Sequence, residues 1–218
     1  MSGVAHRLLN RRGLMLGAFG LGLVACGPRS LAQTKPLPDD DRTWSFAMRV
    51  AVGAEMRARK QESYDPAYVK IAYPMGDVPD DRGVCTDTVI RAYRHAGVDL
   101  QEAVHKDMAA NFGKYPRSWG LSKPDTNIDH RRVPNLMVFF SRKGETLAIT
   151  PRAQDYAPGD LVTWDLGGGV PHIGMVVDRK SPAGGRFLIV HNIGQGPKME
   201  GVLFKWKITG HYRYLGPR

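Results

Sequence analysis

Helical and strand periodicities occupy different parts of this chain, and that separation limits its fold more than any other feature. Apolar residues recur at helical spacing in four stretches between residues 44 and 140, whereas the long strand-like runs all follow residue 157. Helices first and sheet second is an α+β arrangement, with N-terminal helices packed on a C-terminal antiparallel sheet. At 218 residues and 42% hydrophobic content the chain can bury one sizeable core, and it carries no internal repeat.

The first expected helix puts Trp44, Ala47, Met48, Ala51, Val52 and Met56 on one face and ends near Lys60. Asp39, Asp40 and Asp41, after Pro36-Leu37-Pro38, lead into its cap. Tyr64-Asp65-Pro66 reads as a turn, 68–71 as a short extended piece, and 73–79 as a loop delivering the chain to a second helix. That helix starts at Cys85, holds Val89, Ile90, Tyr93 and Ala96 at helical spacing, and stops at Gly97. A third helix covers about 100–112, a long polar loop 113–131, and a short fourth helix 133–140 with Asp129 as its cap. Strands are expected at 161–164, 171–177 and 186–191, the last two joined by a hairpin at 181–185. Stretches 202–206 and 211–215 complete the sheet.

Residues 1–32 read as a signal peptide, 33–43 as a linker and 44–218 as the folded domain. Arg7, Arg11 and Arg12 occur with no acid, and the uncharged, mostly apolar run 13–25 follows. At about 13 residues that run is too short to span a bilayer. Asn10-Arg11-Arg12-Gly13-Leu14-Met15-Leu16 resembles a twin-arginine export signal. Leu23-Val24-Ala25-Cys26 resembles a lipobox, which would make Cys26 a lipidated first residue and anchor the protein to a membrane. Ser30-Leu31-Ala32 offers ordinary cleavage instead. Either route places the mature protein in the periplasm or cell envelope, with Cys85 as the one cysteine of its folded domain and no internal disulfide.

The formal charge of +10 falls to +7 once residues 1–25, with three arginines and no acid, are removed. A basic exported protein is drawn to anionic surfaces such as cell-wall polymers or lipid head groups. Nucleic acid is not expected as a partner, because no basic helix with interleaved aromatics is present.

Cys85 sits where unpaired backbone N–H groups and the positive end of the helix dipole favour a thiolate. A nucleophile is one reading; a small buried hydrophobe is the other. Acyl chemistry at cysteine also needs a histidine base and a polar group that orients it. His172 opens one expected strand and His191 closes the next, so a hairpin can set them side by side.

These motifs resemble the NlpC/P60 cell-wall peptidases, a papain-like α+β fold, and most closely the uncharacterised bacterial domain family DUF1287. Gly83-Val84-Cys85-Thr86-Asp87 resembles the start of that superfamily's cysteine helix. Ala157-Pro158-Gly159-Asp160-Leu161-Val162, Pro171-His172-Ile173-Gly174 and Ile189-Val190-His191 resemble its strands. The resemblance implies Cys85 as nucleophile, His172 as base, His191 as orienting partner, with Asn192 as an alternative, and Tyr73 as a hydrogen-bonder beside the nucleophile. It implies a hydrolase acting on peptidoglycan or its peptides, with no cofactor. The backbone N–H of Cys85 is a candidate oxyanion donor.

Asp87 stands where the superfamily usually has glycine. Its carboxylate either narrows the cleft or demands a cationic substrate group, or it serves as a first-turn helix acid. Asn127-Ile128-Asp129-His130-Arg131-Arg132 lies in an inserted segment, 99–155, and resembles the uncharacterised family. It forms either a cleft wall, with Arg131 or Arg132 pairing a substrate carboxylate, or a capped helix with solvated bases. Two other readings stay open: a non-catalytic envelope-binding lipoprotein, and a zinc site built from Cys85, His172 and His191 without a close spacing motif.

Overall fold

The computed structural model describes residues 44–182 and 184–217. The signal peptide, Cys26, the linker and the acidic run at 39–41 lie outside those residues. Among the described residues no helix is long and apolar enough to cross a membrane.

Helix α1 (Phe46–Arg57) is capped by Ser45, whose hydroxyl accepts from the Met48 N–H at 3.2 Å. Its buried stretch is Val50–Glu55, and Met56, expected inside, is exposed. The reason is Gly53: a side chain there would meet the Ala92 carbonyl at 2.8 Å. Backbone contact at this glycine turns the 50–55 face inward against helix α2 (Cys85–His95).

Helix α2 starts at the cysteine as expected, and Gly97 follows its end with φ +85°. Its N-cap, Val84, has no acceptor side chain, so the Asp87 carboxylate reaches back to the Val84 N–H at 2.7 Å. Helix α3 (Leu100–Asn111) is capped by Asp99. Helix α4 (Val133–Lys143) runs beyond the expected end at 140, with a proline in its first turn and Arg132 rather than Asp129 at the N-cap position. Asp129 instead opens a 3-10 turn, Asp129–Arg131, within the stretch read as loop.

Strands β1 (Ser63–Tyr64) and β2 (Arg82–Gly83) form a two-residue parallel ladder where a turn at Tyr64 was expected. The main sheet comprises β3 (Glu145–Thr146), β4 (Leu161–Asp165), β5 (Pro171–Lys180), β6 (Phe187–Asn192), β7 (Pro197–Glu200) and β8 (Lys207–Arg213). Its order is β3-β8-β4-β5-β6-β7, with every neighbouring pair antiparallel. The stretch 202–206 is a turn, not a strand. Val202 and Leu203 pack against Trp164, whose indole N–H donates to the Leu203 carbonyl at 2.9 Å, and this contact takes the chain out of the sheet.

The sheet has two buried faces, and the strand alternation sorts residues between them. Ile173, Met175, Val177 and Val190 join Val89, Ile90, Tyr93, Leu136 and Phe140 in the helix-side core. Val162, Trp164, Val176 and Ile189 join Tyr156, Val202 and Leu203 on the other side. Mixed α+β architecture is therefore as the sequence order implied.

Candidate active site

Because Cys85 is the first residue of α2, its backbone N–H lies among the donors that a helix cannot use internally. The side chain is buried, 7% exposed, in the helix-side core. Burial pushes the thiol up to about 11, against the opposing pull of hydrogen bonding with the Ile173 backbone, while the Asp87 charge adds to the rise. The helix start does not produce the thiolate expected of it; the resting group is a protonated thiol.

His172 and His191 are brought together as the hairpin argument required. His172 Nε2 and His191 Nδ1 are 2.8 Å apart, and His191 Nε2 lies 3.0 Å from Glu200 Oε2. Glu200 went unrecognised in the sequence. It stands diagonal to His191 across the β6–β7 ladder, where His191 pairs with Lys198 and Ile189 with Glu200. As a carboxylate, Glu200 only accepts, so His191 carries its proton on Nε2 and accepts on Nδ1. His172 must then donate from Nε2, which leaves the lone pair of His172 Nδ1 open as a base. Burial drives the His172 imidazole down to about 3 and lowers His191 as well, so both rings rest neutral.

Indoles surround the His172 ring, Trp164 tilted to it at 5.9 Å and Trp206 edge-on at 6.1 Å. Ile173, the next residue, faces the helix-side core and meets Cys85 through its backbone. Cys85 and the histidine pair thus flank the head of β5 from its two faces, and neither histidine lines the cleft. No hydrogen bond joins Cys85 to a histidine among the described residues.

Cys85 opens onto a cleft of about 420 Å³. Tyr64, Tyr68 and Trp119 give it aromatic walls, Arg131 and Arg132 are its charged residues, and no Asp or Glu lines it. The tyrosine set beside Cys85 is Tyr64, half-exposed in the cleft wall, its phenol raised first by partial burial and also by the Asp87 charge. Tyr73 is elsewhere, exposed, with its ring edge-on to His105 at 5.0 Å. The two-residue β1–β2 ladder puts Tyr64 opposite Gly83, two residues before Cys85, and such a short ladder leaves no periodic signal.

Asp87 is buried and clamped by Arg131, whose Nε and Nη2 donate to its two oxygens at 2.8 and 2.9 Å. Arg131 Nη1 donates to the Ala67 carbonyl, and Thr86 Oγ1 donates to the Arg131 carbonyl at 3.0 Å. Asp87 therefore neither lines the cleft nor needs a cationic substrate, and Arg131 has its carboxylate within the fold. Removing one partner of so buried a pair costs about 3 kcal/mol. Arg132, by contrast, lies over the Trp119 ring at 4.0 Å and makes one long side-chain hydrogen bond, 3.4 Å to Asp129.

The other expected site residues hold structure. Asp129 accepts from the Asp125 N–H and His130 is buried, its ring lowered to about 4 by desolvation; neither lines the cleft. Asn192 donates to the Gly83 carbonyl at 3.2 Å, tying β6 to the segment before Cys85, whereas the ring nitrogen facing His172 belongs to His191. Among the described residues no group of three His, Cys, Asp or Glu is arranged to hold a metal ion, and the facing nitrogens of His172 and His191 are bonded to each other. A larger hollow of about 650 Å³ includes Asp107, Arg142 and Lys143 in its lining, but Asp107 already pairs with both cations.

A family model described as "Domain of unknown function (DUF1287)" matches residues 51–214. The uncharacterized protein YijF of Escherichia coli (strain K12) is 52% identical over 168 residues, which are 77% of this chain and 82% of that protein.

Proposed function

The chain belongs to the DUF1287 family, and from that premise we propose that it is a cell-envelope cysteine hydrolase that cleaves an amide bond in peptidoglycan stem peptides. The helix-on-antiparallel-sheet layout supports a papain-like reading, related to the NlpC/P60 peptidases. One observation carries the proposal: the Glu200–His191–His172 chain fixes a neutral imidazole with a free Nδ1 beside the strand residue that meets Cys85.

Since thiol and imidazole both rest neutral, attack and proton transfer proceed together. Cys85 lines the cleft whereas His172 does not, so proton transfer between them requires the two side chains to turn toward each other around the head of β5 as substrate enters. The Cys85 proton passes to His172 Nδ1 as Sγ bonds the carbonyl carbon. The carbonyl electrons move to oxygen, which the Cys85 N–H at the helix start stabilises. Collapse breaks the C–N bond, His172 returns its proton to the leaving amine, and a thioester remains. Water, deprotonated by His172, then releases the carboxylate product and the thiol. Glu200 and His191 hold the tautomer and steady the transient imidazolium. No step calls on a cofactor.

The decisive experiment is release of soluble fragments from purified cell wall. Wild-type chain should release them and Cys85→Ala should not; equal rates would refute the mechanism. A second reading, a non-catalytic envelope-binding protein on the same scaffold, draws support from the raised thiol and the absence of a Cys85–histidine hydrogen bond. It predicts cell-wall binding with no release by either protein. Export and membrane attachment through Cys26, or plain cleavage after Ala32, rest on the N-terminal sequence, and a labelled fatty acid retained on wild type but not on Cys26→Ala would decide between them.

A further inference from the structure

We propose that the cleft beside Cys85 selects peptides bearing a free carboxylate, and that Arg132 is the residue that pairs it. The inference rests on the cleft being the substrate site, as above, but not on Cys85 being a nucleophile.

Two arginines line the cleft and no Asp or Glu does, so its charged lining favours an anion. The two are not equivalent. Arg131 directs its Nε and Nη2 at Asp87 and its Nη1 at a backbone carbonyl, and its side chain is 2% exposed. Arg132 spends one nitrogen on a 3.4 Å contact with Asp129 and keeps the rest of its fork unbonded. The Asp125 and Asp129 charges act on it, yet neither residue lines the cleft.

Trp119 supplies the second independent observation. The Arg132 guanidinium lies 4.0 Å from its ring centroid, which holds the plane in place without consuming in-plane N–H donors. A guanidinium held over a ring in this way keeps N–H donors for a carboxylate, which arginine can take in a two-pronged geometry. Partial burial also lowers the Arg132 pKa, with the Asp129 and Asp125 charges acting against that shift.

Full-chain Cys85→Ala, which cannot turn over, is titrated calorimetrically with two probes. One is a synthetic peptidoglycan stem tetrapeptide with free carboxylates; the other is the same peptide with each carboxylate converted to carboxamide. The carboxylate form should bind at least about tenfold tighter, Arg132→Gln in the same background should erase the preference, and Arg132→Lys should restore part of it. Equal affinities, binding of neither peptide, or a preference that survives Arg132→Gln each overturn the proposal. Intact selectivity in Cys85→Ala alongside an inert wild type would overturn the hydrolase reading alone.

Discussion

His191 and His211 each place a ring nitrogen about 3 Å from a carboxylate, on the same sheet, yet their surroundings prepare them for different work. At His211, Nε2 faces Asp160 at 2.9 Å and Nδ1 faces the Ala148 carbonyl at 3.1 Å, so both nitrogens are occupied. Asp160 is saturated as well: Arg213 donates to both its oxygens, at 2.7 and 2.9 Å, and the Ala157 N–H adds a fourth bond. The ring itself is stacked 4.2 Å from Tyr156. In the other group each member passes one bond to the next, and His172 Nδ1 is left over. A carboxylate beside histidine is thus a clamp when every lone pair is spent, and a base when one remains.

Replacing the two rings separates these roles most sharply. His172→Ala should lower kcat/KM for cell-wall cleavage by about 10³-fold with a modest change in unfolding free energy. His211→Ala should do the reverse, destabilising the chain while the folded fraction keeps its specific activity. A loss of specific activity in His211→Ala would break the comparison. Next comes Asp160→Asn, which leaves Arg213 and His211 around a neutral amide. It should cost about 3 kcal/mol in urea unfolding without altering the cleft.

Acid should act on the two groups in different windows. The folded His172 value, about 3, lies below the ordinary 6.5, so between those values the unfolded chain binds a proton that the folded chain does not. Its stabilising effect is complete above 6.5 and declines as pH falls toward 3. Asp160 is also lowered from 3.8, so its contribution persists above that value and disappears as pH drops through its folded value. His172→Gln should therefore recover about 3 kcal/mol at pH 4 relative to pH 7, and Asp160→Asn should flatten only the steeper fall below about 4. Urea midpoints across pH would show whether the windows are separate. The smallest effect is expected from Glu200→Gln: its 43% exposed carboxylate steers a tautomer rather than touching substrate, so the rate should fall about tenfold with stability unchanged.

Features carried by local pattern were readable from the chain. The Cys85 helix, its stop at Gly97 and the hairpin that pairs His172 with His191 all depend on residues close in sequence. Features set by long-range pairing were not. Arg131 and Asp87 are 44 residues apart, and nothing in either stretch names the other. Tyr64 reaches Cys85 through a ladder of two residues, too short to leave a pattern, so the family resemblance pointed to Tyr73 instead. Glu200 belongs to a four-residue strand whose register against β6 decides everything about it. The 202–206 stretch misled for a related reason, since alternating apolar residues packed on an indole look the same as a half-buried strand.

The Arg131–Asp87 clamp, with Thr86 bonded to the Arg131 carbonyl, also governs how this molecule can be altered. A segment bearing cleft residues such as Trp119 and Arg132 invites exchange between relatives as a specificity cassette. Here the graft boundary cannot be drawn at 113 and 132, because the cassette's anchor is a carboxylate inside the cysteine helix. A chimera that imports the segment without position 87 inherits an uncompensated buried charge, and one that imports both moves the nucleophile's own helix start along with the wall.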